Sequence, residues 1–426
     1  MSRRGAVRIH EGMNVAVSPG MASFEVVERK FRGHPDSLAD LVAQTFSKKY
    51  IEYAWKTFPA LFNRYFPNFS ADKVTISGAS TYHVDGTYKV TKPIDALLIG
   101  KITPRIGDIE IDVDGVFREA IEQVFAKCLQ TTNFKHHLRT MIYSVDLAGP
   151  DHGAGFYCPE SIEQLIETLK AESRANDTVY IVAYAPLSVT ESLSIHLEQV
   201  TYSQEFRQIF PEIGTDIKAM IRRNRSEYDI TLCLPILPEK VSTISVYESI
   251  IANAKEFLLG KIESYLKSNA EKSLGITIQL HVNTKDTTSK KYFALWGTSL
   301  TKGDVGAVGR GNRQQGFISG VRPSTNEAVS GKNPNHFAGI VCQLAADKMS
   351  QEIFLTTQLE NIVYISANNG DALDDPSSVD ILVAHATESQ KEQIQHIINV
   401  TLAMLPELRQ SYIVQEPFDR FMGFKK

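Results

Sequence analysis

One stretch holds most of the groups that could handle phosphate: Gly303-Asp304-Val305-Gly306-Ala307-Val308-Gly309-Arg310-Gly311-Asn312-Arg313. Glycine lets backbone N–H groups approach a polyphosphate closely. Arginine offers a planar fork to phosphate oxygens, and an aspartate can hold magnesium. Further along, Ser330-Gly331-Lys332-Asn333-Pro334 places a second cation behind a glycine. Neither stretch fits a standard nucleotide fingerprint. A P-loop needs Gly-x-x-x-x-Gly-Lys-[Ser/Thr], but position 326 is Asn and Asn333 follows the lysine. A dinucleotide loop starting at Gly309 would need glycine at 314, which is Gln. Read alone, a Gly/Arg loop of this kind fits a structural turn as well as a phosphate site.

Other candidates lie at element junctions. Phe31-Arg32-Gly33-His34-Pro35-Asp36-Ser37 links a strand expected over Phe24 to Arg29 with a helix expected to open at Ser37. Asp40 would complete a capping-box variant there, and Leu38, Leu41, Val42 and Phe46 mark the buried face. His34 and Asp36 then sit at a helix N-terminus, where ligand groups project and anions are favoured. Asp216 and Lys218, two apart on an expected strand, would share a side, as a surface ion pair also would. Asp177 stands before a strand over Thr178 to Pro186. Gly153 and Gly155 belong to a glycine-rich loop, Asp146 to Phe156, with Asp151 and His152. Arg222, Arg223 and Arg225 read as a solvated turn, and His136-His137 lacks metal-ligand spacing. No Gly-x-Ser-x-Gly elbow, His-Glu-x-x-His or EF-hand loop occurs. The chemistry indicated is cation-and-magnesium handling of a phosphorylated substrate.

The chain that must position these groups has 426 residues, enough for two or three subdomains, with 43% hydrophobic and 22% charged residues. A net charge of −4 gives no reason to expect nucleic-acid binding, so any basic site is local. The four cysteines are far apart with no C-x-x-C pair, which argues for reduced, mostly buried thiols rather than zinc or disulfides. Nothing resembles a signal peptide or a membrane span, so a cytoplasmic chain without membrane contact is expected.

Strands are expected at Val74 to Gly78, Ala96 to Gly100, Asp229 to Leu234, Ile276 to Val282, Tyr292 to Leu300, Ile362 to Ile365 and Val379 to Ala384. Helices are expected over 113–129, from Pro159 to near Ser173, from Thr190, over 245–269, after Pro334 and over 388–405. Strand pairs followed by helices recur, which indicates an α+β chain with helices on one face of each sheet. A loose lead-in over 1–22 would precede subdomains at 23–140, 141–285 and 286–426, with some interleaving.

Taken in order, these segments resemble the archaeal-type methionine adenosyltransferases (S-adenosylmethionine synthetases), with this chain a divergent member. The likeness runs through Val27-Glu28-Arg29-Lys30, Gly33-His34-Pro35-Asp36-Ser37, Ala175-Asn176-Asp177-Thr178, Tyr184-Ala185-Pro186-Leu187-Ser188 and Asp216-Ile217-Lys218. It continues through Val282-Asn283-Thr284, Gly297-Thr298-Ser299, Val308-Gly309-Arg310-Gly311-Asn312-Arg313 and Ser330-Gly331-Lys332-Asn333-Pro334. The resemblance implies three similar α+β subdomains, assembled as a homodimer with active sites at the interface. It implies attack of L-methionine sulfur on C5′ of ATP, with the departing triphosphate cleaved to pyrophosphate and phosphate. By the same resemblance His34 supports departure of the triphosphate, and Asp36 and Asp304 hold Mg2+. Lys218, Arg310 and Lys332 neutralise the triphosphate, and Gly303, Gly309, Gly153 and Gly155 line the nucleotide. Asp177 and Asp216 serve the methionine amino group and the adenosine side, in an order left open. K+ is a second candidate cofactor.

The chain also departs from the family pattern. Gly-Asp-Asp-Gly-Ser reads Gly303-Asp304-Val305-Gly306-Ala307, and Gly-Gln-Gly-Ser is replaced around Asp151 to Phe156. Gly-Gly-Gln becomes Ser77-Gly78-Ala79-Ser80, and the Asn-His pair after Pro334 is shifted to Asn335-His336. Ile-Gly-Lys-Pro becomes Asn369-Gly370-Asp371-Ala372, putting a carboxylate where the family has a cation. Three readings follow: a methionine adenosyltransferase, an enzyme adenosylating a methionine analogue or another nucleophile, and a nucleotide-binding regulatory paralog.

Overall fold

The computed structural model describes residues 6–12, 23–84, 87–144, 154–171, 174–270, 275–288 and 290–414. Three sheets, each with helices on one face, form the α+β architecture. In the first, strands Thr277–Val282, Glu227–Cys233, Lys218–Asn224, Phe24–Lys30 and Ile318–Ser319 lie in that order. Alternate residues Ile221, Ile230, Leu232 and Leu280 turn inward against Leu193 and Leu197 of helix Val189–Tyr202, and Leu258 and Ile262 of Ile244–Asn269. The second sheet orders Ala6–His10, Ser378–Val383, Asn361–Ala367 and Val179–Ala185 beneath helices Ala338–Thr357 and Glu388–Ala403. The third orders Leu138–Ser144, Ile94–Ile102, Val74–Ser77 and Val305–Ala307. Its core face, with Ile76, Ala96 and Leu98, packs on helix α1 (Pro35–Thr57) and on Val113–Leu129.

Several expectations are corrected. Ala6–His10, inside the supposed loose lead-in, is a strand parallel to Ser378–Val383, a pairing too distant for local sequence to show. The contiguous boundaries at 140 and 285 do not separate the sheets, because each sheet draws strands from distant stretches. Tyr292 to Leu300 is not a strand. Trp296 takes φ +57° and Gly297 φ +68°, so the chain folds into short 3-10 turns at Leu295–Gly297 and Ser299–Lys302. Helix α1 is capped by His34 rather than Ser37, whose hydroxyl instead donates to the Lys30 carbonyl at 3.1 Å. Arg222 and Arg223 lie on a strand, paired with Asp229 and Glu25. Cys128 and Cys342 are buried, while Cys233 is exposed. Among the described residues no helix is long and apolar enough to cross a membrane.

A buried ion pair joins the first sheet to its helix. Arg29 and Glu198 are both fully buried, with Nε donating to Oε2 at 2.7 Å and a further guanidinium N–H donating to the Gly316 carbonyl. Glu198 also accepts the Arg32 N–H at 2.9 Å. Removing one member of such a pair strands the other charge in a dry interior. Arg29→Leu is expected to lower unfolding free energy by about 3 kcal/mol in urea titration. An unchanged midpoint would show that the pair is dispensable.

Candidate active site

The site grows from the N-terminus of α1. Pro35 starts the helix, and the half-buried His34 ring caps it, its Nδ1 accepting the Asp36 N–H at 3.2 Å. With Nδ1 an acceptor, the neutral ring carries its proton on Nε2. Burial holds the imidazole below its ordinary value, against the opposing pull of Asp216 and Asp36. The ring therefore stays neutral at neutral pH.

Asp36 is gripped on both oxygens. Oδ2 pairs with Lys30 Nζ at 2.9 Å, and Oδ1 accepts the Ala307 N–H at 3.1 Å. That second contact requires the edge strand Val305–Ala307 to lie directly on the first turn of α1. Only a residue without a side chain permits it, since a Cβ on Gly306 would stand 2.0 Å from the Pro35 carbonyl oxygen. Lys30 Nζ also donates to the Arg310 carbonyl, and Asn312 brackets the Lys30 backbone at 2.9 and 2.7 Å.

Asp216 is buried just before the strand that begins at Lys218. Burial pushes its carboxyl up, and neighbouring His34 and Ser299 draw it back. Its Oδ2 accepts the Ser299 N–H at 2.7 Å; Ser299 Oγ lies 2.5 Å from Asp216 and 3.1 Å from Asp304, so one hydroxyl bridges two carboxylates. Lys218 pairs with Glu28 at 2.7 Å. His34, Asp36, Asp216, Lys218 and Asp304 thus share one neighbourhood, with the Arg310 backbone held at its edge.

Lys332 and Asp177 form a second group. Lys332 Nζ lies 3.1 Å from Asp72, 3.3 Å from Glu327 and 3.8 Å from Asp177. Burial opposes the ammonium, but Asp72 and Glu327 outweigh it and hold the charge on. A cavity of about 130 Å³ has Asp40, Gly309 and Arg313 on its wall together with Glu327, Val329 and Ser330.

The glycine loop works differently from a phosphate cradle. The Gly309 N–H donates to Asp40 at 2.8 Å, and the Gly303 N–H closes a turn onto the Leu300 carbonyl at 3.2 Å. These N–H groups are satisfied within the protein, which leaves side chains rather than these amides free to meet a ligand. Among the described residues the exposed Arg310 guanidinium has no partner. Gly153 lies outside the described residues, while Gly155 sits in the short turn Ala154–Tyr157, whose Phe156 ring is 4.8 Å from that of His336. Sequence reasoning gave no role to Lys30, Ser299, Asp72 or Glu327. Glu28 and Lys30 alternate on one strand face and could have been paired with Lys218; the others come from loops with no local signal.

Fold and site together define a three-sheet α+β protein whose carboxylates and lysines converge on one helix N-terminus. The family model described as S-adenosylmethionine synthetase (AdoMet synthetase) matches residues 9–416, and the chain belongs to that family. It is similar to the S-adenosylmethionine synthase of Pyrococcus furiosus, 28% identical over 412 residues covering 94% of this chain and 96% of that protein. It is also similar to an uncharacterized protein of Streptococcus pyogenes serotype M3, 27% identical over 385 residues covering 89% and 90%. Among solved structures, an unusual S-adenosylmethionine synthetase from Campylobacter jejuni shares the fold, with a TM-score of 0.58 and 13% identity over 94% of this chain and 96% of that one.

The contact of Gly306 on Pro35 yields a prediction. Gly306→Ala drives a Cβ into backbone that cannot yield, and is expected to lower the melting temperature by about 4 °C or more. A calorimetric scan superimposable on the unsubstituted protein's would show that the strand can move off α1.

Proposed function

We propose that this chain transfers the adenosyl group of ATP to the sulfur of L-methionine. The sulfur lone pair forms the bond to C5′, the C5′–O bond breaks, and triphosphate leaves; water then cleaves triphosphate to pyrophosphate and phosphate. The observation that carries the reading is His34, a half-buried neutral imidazole fixed by its own helix N-terminus with Asp36, Asp216, Lys30 and Lys218 around it. Its Nε2–H is available to a departing oxygen, and no protein nucleophile is needed for such a displacement. Lys218, Arg310 and Lys332 supply positive charge to the triphosphate, and Asp177 and Asp216 receive the methionine ammonium and the adenosine.

The hard carboxylate oxygens of Asp36 and Asp304 suit magnesium. Among the described residues no three acidic, His or Cys side chains form a ready-made metal centre. That fits an ion held by one or two carboxylates and completed by phosphate oxygens, where it would neutralise charge on the leaving group.

The open face of the third sheet supports a homodimer. Ile99, Met141, Tyr143 and Val305 are 46%, 38%, 72% and 49% exposed on one face, next to Asp304. An apolar sheet face of this kind is covered in stable proteins, and a second copy would bring two sites together across a two-fold axis. Tyr143→Asp is expected to convert a dimer to monomer in light scattering, and a native monomer would reject this assembly.

A changed acceptor is the second reading, favoured by where the departures fall. His336 and Asp371 flank the Asp177 segment: the Asn176 N–H donates to the His336 carbonyl, and the Ala175 N–H to the Asp371 carbonyl. Mass spectrometry of protein, ATP, magnesium and L-methionine tests both. The expected product is S-adenosylmethionine with pyrophosphate and phosphate, abolished by EDTA. Product from another thioether alone would establish the second reading, and ATP left intact with every acceptor would refute adenosyl transfer. Lys332→Ala is expected to lower kcat about a hundredfold with little change in nucleotide affinity. Equal turnover would remove Lys332 from the chemistry.

A further inference from the structure

Asp40 lies one turn beyond Asp36 on α1, is 3% exposed, and has no part in the scheme above. Its Oδ1 accepts the Gly309 N–H at 2.8 Å, and Gly311 packs against its Oδ2. A Cβ on Gly311 would stand 2.2 Å from Oδ2, so the loop is drawn onto the acid as tightly as a bare backbone allows. Gly309 is held at its other end too, its carbonyl accepting from Arg313 at 2.8 Å. Between these points lies Arg310, whose carbonyl is taken by Lys30 Nζ. The backbone of Arg310 is therefore fixed before it, after it and at its own carbonyl, while its guanidinium is unpartnered among the described residues.

We propose that Asp40 is a positioning residue for Arg310, pinning the loop on both sides of that arginine so that its guanidinium meets the triphosphate in one place. The link to triphosphate rests on the adenosyl-transfer reading; the pinning does not. A buried carboxylate pressed against loop backbone is an odd choice for stability alone. Burial, more than any neighbour, pushes the Asp40 carboxyl up to about 7; the Gly309 N–H opposes this, Asp36 adds to it, and the Gly311 backbone and Arg313 oppose it. The charged groups that face it are Asp36 on its own helix, Arg313 on the loop and Glu327 on the shared cavity wall. Because the folded value lies above the ordinary 3.8, the folded chain binds the proton more firmly than the unfolded one. Asp40 thus contributes stability below the ordinary value that is lost as pH rises toward about 7.

Asp40→Asn and Asp40→Ala test this by two routes. Asn keeps an acceptor for Gly309 and the bulk packed against Gly311 but cannot ionise, and Ala offers neither contact. Hydrogen exchange of the peptide spanning 306–313 should quicken at least about tenfold in the Ala variant, less in the Asn variant, and stay unchanged elsewhere. This arm needs no turnover, so it stands even if adenosyl transfer fails. In the activity arm, kcat should fall about a hundredfold for Ala and partly recover for Asn, with the KM for methionine unchanged. The wild-type decline in melting temperature between about pH 4 and 7 should flatten in Asp40→Asn. Unchanged exchange over 306–313 overturns the pinning. Quickened exchange with undiminished kcat in a working adenosyltransferase, or with no rescue by Asn, overturns the positioning role.

Discussion

Two carboxylates on one helical turn hold this molecule's working parts in register. Asp36 and Asp40 reach from the start of α1 to the backbone of 307–309, taking N–H groups that would otherwise need water or a ligand. A buried N–H left unsatisfied is expensive, so the arrangement fixes a strand edge and a loop at once. Because α1 follows directly from a strand of the first sheet, and Val305–Ala307 belongs to the third, these bonds set how the two sheets meet. His34, Asp216 and Asp304 lie at that junction. The site is a consequence of the seam between sheets rather than a pocket within one.

The pairing of every lysine there with a carboxylate follows the same logic. Lys30 rests on Asp36, Lys218 on Glu28, and Lys332 among Asp72, Glu327 and Asp177. Ammonium groups taken partly out of water are costly when bare, and these partners offset that cost and hold them in place. On the adenosyl-transfer reading, a triphosphate would exchange one set of oxygens for another, with little reorganisation of the cations.

Much of the fold was legible because its signals are local. The strand at Phe24, the helix over 113–129 and the long helix near 245–269 carry plain two- or 3.6-residue periodicity and were placed within a residue or two. Misreadings have physical reasons. Tyr292 to Leu300 has the aromatic and β-branched composition of a strand, but the positive φ at Trp296 is a tertiary effect. Gly309 looked like a phosphate ligand because glycine spacing shows that backbone is approached closely, not by what; here it is Asp40. The partners of Lys332 come from residues 72 and 327, which no spacing rule joins. Side chains at junctions were found by type, and their partners only by geometry.

Exposure of the carboxylates separates the two halves of the site. Around Lys332 the ammonium faces Asp72, Glu327 and Asp177, with Lys73 on Asp72 as a second cation. Around His34, Lys30 and Lys218 stand among Asp36, Glu28, Asp216 and Asp304, with the Arg310 guanidinium at the edge and unpartnered among the described residues. Asp177, beside Lys332, has a side chain 40% exposed and open to a cationic ligand, whereas Asp216 is buried. On the adenosyl-transfer reading this argues for Asp177, rather than the buried and Ser299-bound Asp216, as the partner of the methionine amino group. It also gives Asp371 a limited part. Though it stands where the family has a cation, its Oδ2 accepts the Asn368 N–H at 2.7 Å and the Ser377 hydroxyl at 2.9 Å, closing its own turn. The substitution therefore removes a positive charge from this side of the site without aiming a negative one into it, a change that leaves the triphosphate groups intact and alters the surroundings of the acceptor.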